Sequence, residues 1–248
     1  MVSDDGRAGL LGNIREYLVY ERDEGKDHIF ISPRAERKEE IKVEGKKVDV
    51  SGSMTDIIEE ISVCKKCSLH KTRTKTVPGQ GCLSPEIMFI GEAPGFDEDK
   101  AGEAFVDRAG QLLTRIIDAM GFTREQVFIG NILKCRPPDN RRPTPDEMET
   151  CLPFLRRQIA LIQPKVIVAL GATAVRGLLN LETGISKLRG KWLAFEGIDL
   201  MPTFHPAYLL RNQSAKHDVW RDMQDVLKRL GRTPPPRKKG RGGENDKV

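Results

Sequence analysis

The chain has 248 residues, with 41 Lys+Arg against 36 Asp+Glu and a formal net charge of +5. The length suits one α/β domain with extra segments or two small domains, and 38% hydrophobic with 31% charged residues reads as a soluble globular protein carrying some disordered chain. No apolar run approaches the ~18–20 residues of a membrane span, and the acidic opening MVSDDGRAGLLG has no signal-peptide core, so secreted and membrane classes are set aside.

Residues 1–60 read as an N-terminal appendage. Leu10, Leu11, Ile14 and Leu18 recur at helical spacing, which predicts an amphipathic helix over 7–22. Charge dominates 23–50 without a sustained period, as in a linker. Thr55 is placed to cap a short helix carrying Ile57, Ile58 and Ile61. Residues 61–231 alternate strand and helix signals. Strands are predicted at 87–90, 127–133 and 166–170, each a short apolar run. Helices are predicted over 111–120, over 145–162 behind Thr144 and Pro145, and over 172–179. A hairpin over 191–195 and 198–204, turning at Glu196-Gly197, feeds a fourth core strand, and a last helix runs over 216–230. This order predicts an α/β fold with a mainly parallel sheet covered on both faces, where ligands bind outside the carboxyl ends of the strands. Residues 232–248 are Pro, Gly and charge without period, as in a disordered basic tail.

Five cysteines in a chain without an export signal argue against a disulfide framework. Cys64-Lys-Lys-Cys67 brings two thiolates together, Cys135 follows the second strand, and Cys151 lies inside a predicted helix. Four thiolates suit tetrahedral zinc or an iron–sulfur cluster; Cys135 and Cys151 would alternatively be small buried hydrophobes. Cys82 sits in a Gly-rich turn apart from this set.

The strand-end loops carry the remaining chemistry. Gly91-Glu92-Ala93-Pro94-Gly95 permits a tight turn and close approach of backbone to a ligand. Asp97, Glu98 and Asp99 follow, either as an acidic cluster for base chemistry or as a solvated, capping turn. Asn131, near the end of a strand, can offer donor and acceptor to a base edge or satisfy local backbone. After the last core strand comes Thr203-Phe204-His205-Pro206-Ala207-Tyr208-Leu209-Leu210-Arg211, where the two leucines either wedge into a groove of DNA or bury themselves. The segments Asp139–Pro143 and Lys187–Lys191 are basic loops suited to phosphate contact or to solvent.

Taken in order, GEAPGFDED, AFVDRAGQLL, NILKCRPPDNRRPTPDE, the Cys64/Cys67/Cys135/Cys151 set, RGKW and HPAYLLR resemble the family 4 uracil-DNA glycosylases over residues 61–231. The resemblance implies a three-layer α/β/α sandwich with a four-stranded mainly parallel sheet and a 4Fe-4S cluster on the four cysteines. It implies excision of uracil from single- or double-stranded DNA by base flipping, at the start of base-excision repair. By the same resemblance Phe105 stacks on uracil, Asn131 reads its Watson–Crick edge, and the Ala93-Pro94-Gly95 backbone contacts the base. His205 stabilises the leaving anion, and Pro206, Leu209, Leu210 and Arg211 enter the minor groove. Relatives in the wider superfamily carry an Asp and a Tyr in a GQDPY motif where this chain has Ala93 and Gly95. Water activation is therefore assigned to Glu92 with Glu98 in support, and exclusion of thymine to the pocket wall near Glu98.

Two other readings stay open. One is the relative that crosslinks to the abasic sugar through a His; Ala93 and the lack of any His between His70 and His205 argue against it. The other is a non-catalytic iron–sulfur module that only binds DNA. A cytoplasmic, nucleoid-associated monomer is expected. Charge supports a DNA partner better than the total suggests: residues 1–60 carry −5, residues 61–231 +6 and residues 232–248 +4.

Overall fold

Short apolar runs between glycine and proline punctuation become the centre of the sheet. They are β3 (Ile87–Gly91), β4 (Phe128–Asn131), β5 (Val166–Leu170) and β7 (Ile198–Thr203). These four pair in parallel in the order β4-β3-β5-β7. The computed structural model describes residues 41–43 and 52–236. The helix expected over 7–22, most of the linker expected over 23–50, and the tail from 237 lie outside the described residues.

Three short strands extend the four parallel ones: the first arm of the expected hairpin, and two that were not expected. β6 (Leu193–Phe195) returns antiparallel along β7, through a Glu196-Gly197 turn with φ of 51° and 85°. β2 (Gln80–Gly81) runs antiparallel to β4 at one edge, and β1 (Ile41–Val43) parallel to β6 at the other. The sheet is thus seven-stranded and mixed, in the order β1-β6-β7-β5-β3-β4-β2. β1 falls within what reads as charged linker, because pairing with a neighbour, not periodicity, makes it a strand.

Successive side chains of a strand point to opposite faces, so each central strand feeds two apolar layers. Ile87, Phe89, Val166 and Val168 join Leu113 and Ile117 of α3 (Arg108–Ala119) and Val219, Met223 and Val226 of α8 (Lys216–Arg229). Met88, Ile90, Ile167 and Ala169 join Leu155 and Ile159 of α4 (Pro145–Ile162) and Val175 and Leu178 of α5 (Ala172–Leu179). Ile57 and Ile61 of α1 (Met54–Ser62) are buried in this second layer, so α1 belongs to the core although most of it precedes residue 61. Each such buried side chain contributes about 1.5–3 kcal/mol.

Caps set the helix starts. Ser53, not Thr55, caps α1: its hydroxyl accepts from Asp56 N while Asp56 accepts from Ser53 N at 2.6 Å. Asp107 caps α3 by accepting from Gly110 N at 2.8 Å, so the helix begins three residues before the expected Gln111. α4 starts as expected, with Thr144 and Glu147 in a capping box, and ends at Gln163 in the left-handed region. Among the described residues there are three further short α-helices, α2 (Phe96–Ala101), α6 (Ile185–Leu188) and α7 (Pro206–Arg211). Among the described residues no helix is long and apolar enough to cross a membrane.

Candidate active site and cysteine centre

The carboxyl ends of β3 and β4 lie side by side, with Gly91 paired to Asn131. A Cβ built on Gly91 would stand 2.4 Å from Asn131 Oδ1 and 2.5 Å from Phe105 Cζ. The missing side chain of Gly91 is therefore what lets an amide and an aromatic ring converge at one point. The Phe105 ring centroid lies 5.6 Å from that of His205, which leaves β7 through the N-cap of α7. Gly171, at the end of β5, is more loosely fitted, but its Cβ would still meet His205 Cβ at 3.1 Å. Three expected pocket residues, Phe105, Asn131 and His205, are thus brought together from one strand end and two loops.

Each is held in a specific state. Asn131 is 2% exposed, and its Oδ1 has no hydrogen-bond partner. The alternative in which Asn131 satisfies local backbone with that oxygen is not what is seen; a buried orphan acceptor costs about 1–3 kcal/mol unless a ligand donor reaches it. His205 Nδ1 accepts from Ala207 N at 3.2 Å. Burial lowers the His205 pKa to about 4, so the ring is neutral near pH 7 and its proton sits on Nε2. A neutral donor is therefore presented on the side away from the cap.

Phe105 has φ of 55°, the left-handed region that bulky side chains avoid. Glu98, on α2, imposes it. Its Oε1 accepts from Val106 N at 2.9 Å and Asp107 N at 3.1 Å, and its Oε2 accepts from Gly95 N at 3.1 Å. One buried carboxylate thus fastens the GEAPG loop to the Phe105 turn. Gly110 closes the other side, where a Cβ would lie 1.9 Å from Phe105 O. The Gly95 N–H is spent on Glu98 and is not available to a ligand. Glu92 and Ala93 are partly exposed at the end of β3, and Pro94 is buried. Asp99 is also a brace: both its oxygens accept from Thr74 N at 3.0 Å. Asp97 is exposed, as a solvated turn would have it.

The HPAYLLR segment corrects one expectation. Leu209 is 1% exposed and packs into the layer shared with α3 and α8, so it is core and not a wedge. Leu210 is half-buried against the same layer, while Tyr208 and Arg211 are exposed. Pro206 is buried at the first position of α7. Tyr208, which the sequence did not single out, stacks on Phe204 at 4.8 Å. Its exposure follows from helix phase: adjacent residues differ by about 100°.

Each basic loop commits one arginine to an internal ion pair, while Arg142, Lys187 and Lys191 are exposed. Arg141 pairs with Glu147 through two bonds of 2.6 and 2.9 Å. Arg189 of the RGKW segment grips Asp222 at 2.6 and 3.1 Å, and Asp222 also accepts from Thr203 Oγ1 at 2.6 Å. Burial pushes the Asp222 carboxyl up to about 6, opposed by Thr203 and Arg189. This clamp ties α8 to the end of β7, two residues before His205.

Cys64, Cys67, Cys135 and Cys151 line one cavity, together with Arg73 and Lys134, and none is in a disulfide. Cys82 lies elsewhere. Among the described residues no three His, Cys, Asp or Glu side chains are grouped to hold a single metal ion. The four thiols instead surround a space. Burial pushes the Cys135 thiol up and that of Cys151 up to about 11, so as bare thiols they are neutral. Their surroundings suit anionic sulfur: Arg73 Nη1 donates to Cys135 Sγ at 3.2 Å, and Lys134 N donates to Cys151 Sγ at 3.3 Å. Lys134 is fully buried, its Nζ donating to Pro78 O, Asn131 O and Gln158 Oε1 at 3.1, 3.0 and 2.8 Å. Burial lowers its pKa to about 8, with Cys151 acting the other way.

The family model for the uracil DNA glycosylase superfamily matches residues 78–224. A type-4 uracil-DNA glycosylase of Archaeoglobus fulgidus is 44% identical over 191 residues, covering 74% of this chain and 96% of that protein. One of Thermotoga maritima is 49% identical over 165 residues, covering 65% and 85%. One of Sulfurisphaera tokodaii is 44% identical over 191 residues, covering 73% and 86%.

Proposed function

The chain belongs to the uracil-DNA glycosylase superfamily, and from that premise we propose how its own residues excise uracil from DNA at the start of base-excision repair. The observation that carries the reading is the orphan Asn131 Oδ1 beside the Phe105 ring and the neutral His205 donor. Uracil presents one N–H flanked by two carbonyls, so its N3–H satisfies Oδ1. Cytosine has a bare N3 and an amino group there and would leave polar groups mispaired, which buried sites reject strongly. Phe105 supplies the stacking face for a base turned out of the helix.

Water adds to the deoxyribose C1′ as the C1′–N1 bond breaks and uracil departs as an anion. Charge gathers on O2, where the His205 Nε2–H donates; a fixed neutral donor in a water-poor pocket stabilises such charge most. Glu92, at the carboxyl end of β3, takes the water proton. Glu98 acts through backbone, by holding Phe105 and Gly95, since three N–H groups already occupy its oxygens. Leu210, Tyr208 and Arg211 on α7 face the DNA, with Leu209 as their buried support.

Cys64, Cys67, Cys135 and Cys151 hold a 4Fe-4S cluster. Four thiols lining one cavity suit a multi-atom centre, and the two N–H···S contacts, from Arg73 to Cys135 and from Lys134 N to Cys151, match an anionic one. When bound, the cluster supplies structural cross-linking: it joins the segment after α1, the exit of β4 and α4.

A single-stranded oligonucleotide with one dU, treated with protein and then alkali and run on a denaturing gel, tests the reading. Cleavage at dU is expected. A denaturant-resistant adduct would indicate the crosslinking reaction instead, and intact but bound DNA a non-catalytic module.

A further inference from the structure

Phe96 is 47% exposed, one of few large apolar side chains left in water among the described residues. It is the first residue of α2, directly after Gly95, which Glu98 ties to the turn at Phe105. Two cations lie against its ring: Lys100 Nζ at 4.1 Å and Arg136 Cζ at 5.1 Å from the centroid. Lys100 is one turn along α2, while Arg136 comes from the loop after β4, so the ring gathers charge from two elements. Neither cation has a carboxylate partner among the described residues. Arg136 spends only Nε, on Asn140 Oδ1 at 2.7 Å, and its two terminal nitrogens donate to nothing described. Contrast Arg141 and Arg189, whose guanidinium groups are consumed by Glu147 and Asp222.

An aromatic ring left exposed in order to hold two uncommitted cations at a pocket rim is a device for binding an anion. We propose that Phe96, Lys100 and Arg136 form a phosphate clamp that grips the DNA backbone beside the extruded nucleotide. The ring holds both cations through its electron-rich π system, so less side-chain freedom is lost when a phosphodiester arrives. Arg136 offers its two terminal nitrogens as a fork and Lys100 a point charge. The inference rests on the glycosylase reading for its ligand, and locates where the substrate backbone runs.

The test is the salt dependence of binding to a single-stranded oligonucleotide carrying an uncleavable abasic analogue, followed by fluorescence anisotropy. Each phosphate contact contributes ~0.7 to the slope of log K against log salt on single strands. Lys100→Gln with Arg136→Gln removes that one phosphate contact and should flatten the slope by ~0.7. Phe96→Leu, which alters no charge, should weaken binding severalfold, and Phe96→Tyr should restore it. Thermal melting of each variant separates a lost contact from a lost fold. A double variant that melts like the parent and keeps the parent slope overturns the clamp. If the parent cleaves at dU while the slopes coincide, the clamp alone fails. If the slope flattens but the parent leaves dU intact, the clamp stands and the glycosylase reading falls.

Discussion

Replacing Gly91 with Ala adds a single methyl group at the point where the pocket closes. That methyl would sit 2.4 Å from Asn131 Oδ1 and 2.5 Å from Phe105 Cζ. Carbon contacts settle near ~3.5 Å, so each neighbour must retreat by about 1 Å. Neither has room. Phe105 is pinned at φ 55° between Glu98 and Gly110, and Asn131 is 2% exposed on a central strand. Displacing a positioning group by ~1 Å costs about 100-fold in rate, equivalent to ~2.7 kcal/mol at the transition state. Overpacking costs a further ~1–3 kcal/mol of stability, or a melting decrease of roughly 3–10 °C at this size. Single-turnover excision from a dU oligonucleotide, quantified by alkaline cleavage, reads the first quantity, and circular dichroism the second. An excision rate within threefold of the parent would refute the convergence of Phe105 and Asn131 on Gly91.

Other outcomes follow from the same contacts. The His205 pKa is lowered to about 4 from an ordinary 6.5, so its folding contribution is complete above pH 6.5 and is lost as pH falls towards 4, by about 3 kcal/mol in all. Denaturation of the parent and His205→Gln at pH 7.5 and 4.5 checks this; a stability difference that does not change with pH contradicts it. Arg189→Leu strands the buried Asp222 carboxylate and should cost about 3–5 kcal/mol, read as a melting decrease of ~10 °C; an unchanged melting temperature would show that the clamp carries no weight. Cys151→Ser should abolish iron retention and broad visible absorbance and lower the melting temperature by ~10 °C or more, whereas Cys82→Ser should change neither. Asn131→Asp presents two acceptors where uracil offers one donor between two acceptors, and should reduce excision at least ~100-fold; a gel showing near-parent cleavage would remove Asn131 from base reading.

What was legible from the chain depended on how local its cause was. β5 and α5 stand at their expected bounds because five apolar residues between Lys165 and Gly171, and a helix begun by that glycine, are self-contained signals. β1 and β2 have three and two residues and no period; each exists only through its neighbour in the sheet. Asn131 and His205 stand out from their strand-end positions and Phe105 only through the resemblance, yet their mutual geometry depends on Gly91, Gly110 and Gly171, whose missing side chains become meaningful only once strands are adjacent. Glu98 sat in an acidic run that suggested base chemistry; its actual bonds reach eight and nine residues ahead, beyond any local pattern. Leu209 is buried and Tyr208 exposed, against the expected wedge at Leu209, because helix phase cannot be fixed from sequence over a six-residue segment.

Lys134 bears on the protein's lifetime. With its ammonium surrounded by three neutral oxygens, and with Arg73 against Cys135, the interior on that side carries positive charge that anionic sulfur would balance. If the cluster proposed on the four cysteines were lost, the chain would lose that cross-link and keep Arg73 against a neutral Cys135 thiol and the Lys134 ammonium buried beside the same cavity. Such a protein opens often and is cleared by proteases that act on unfolded chain. A cell short of iron would then hold less of this protein, not an idle stock of it, and its abundance would track metal supply with no change in its synthesis.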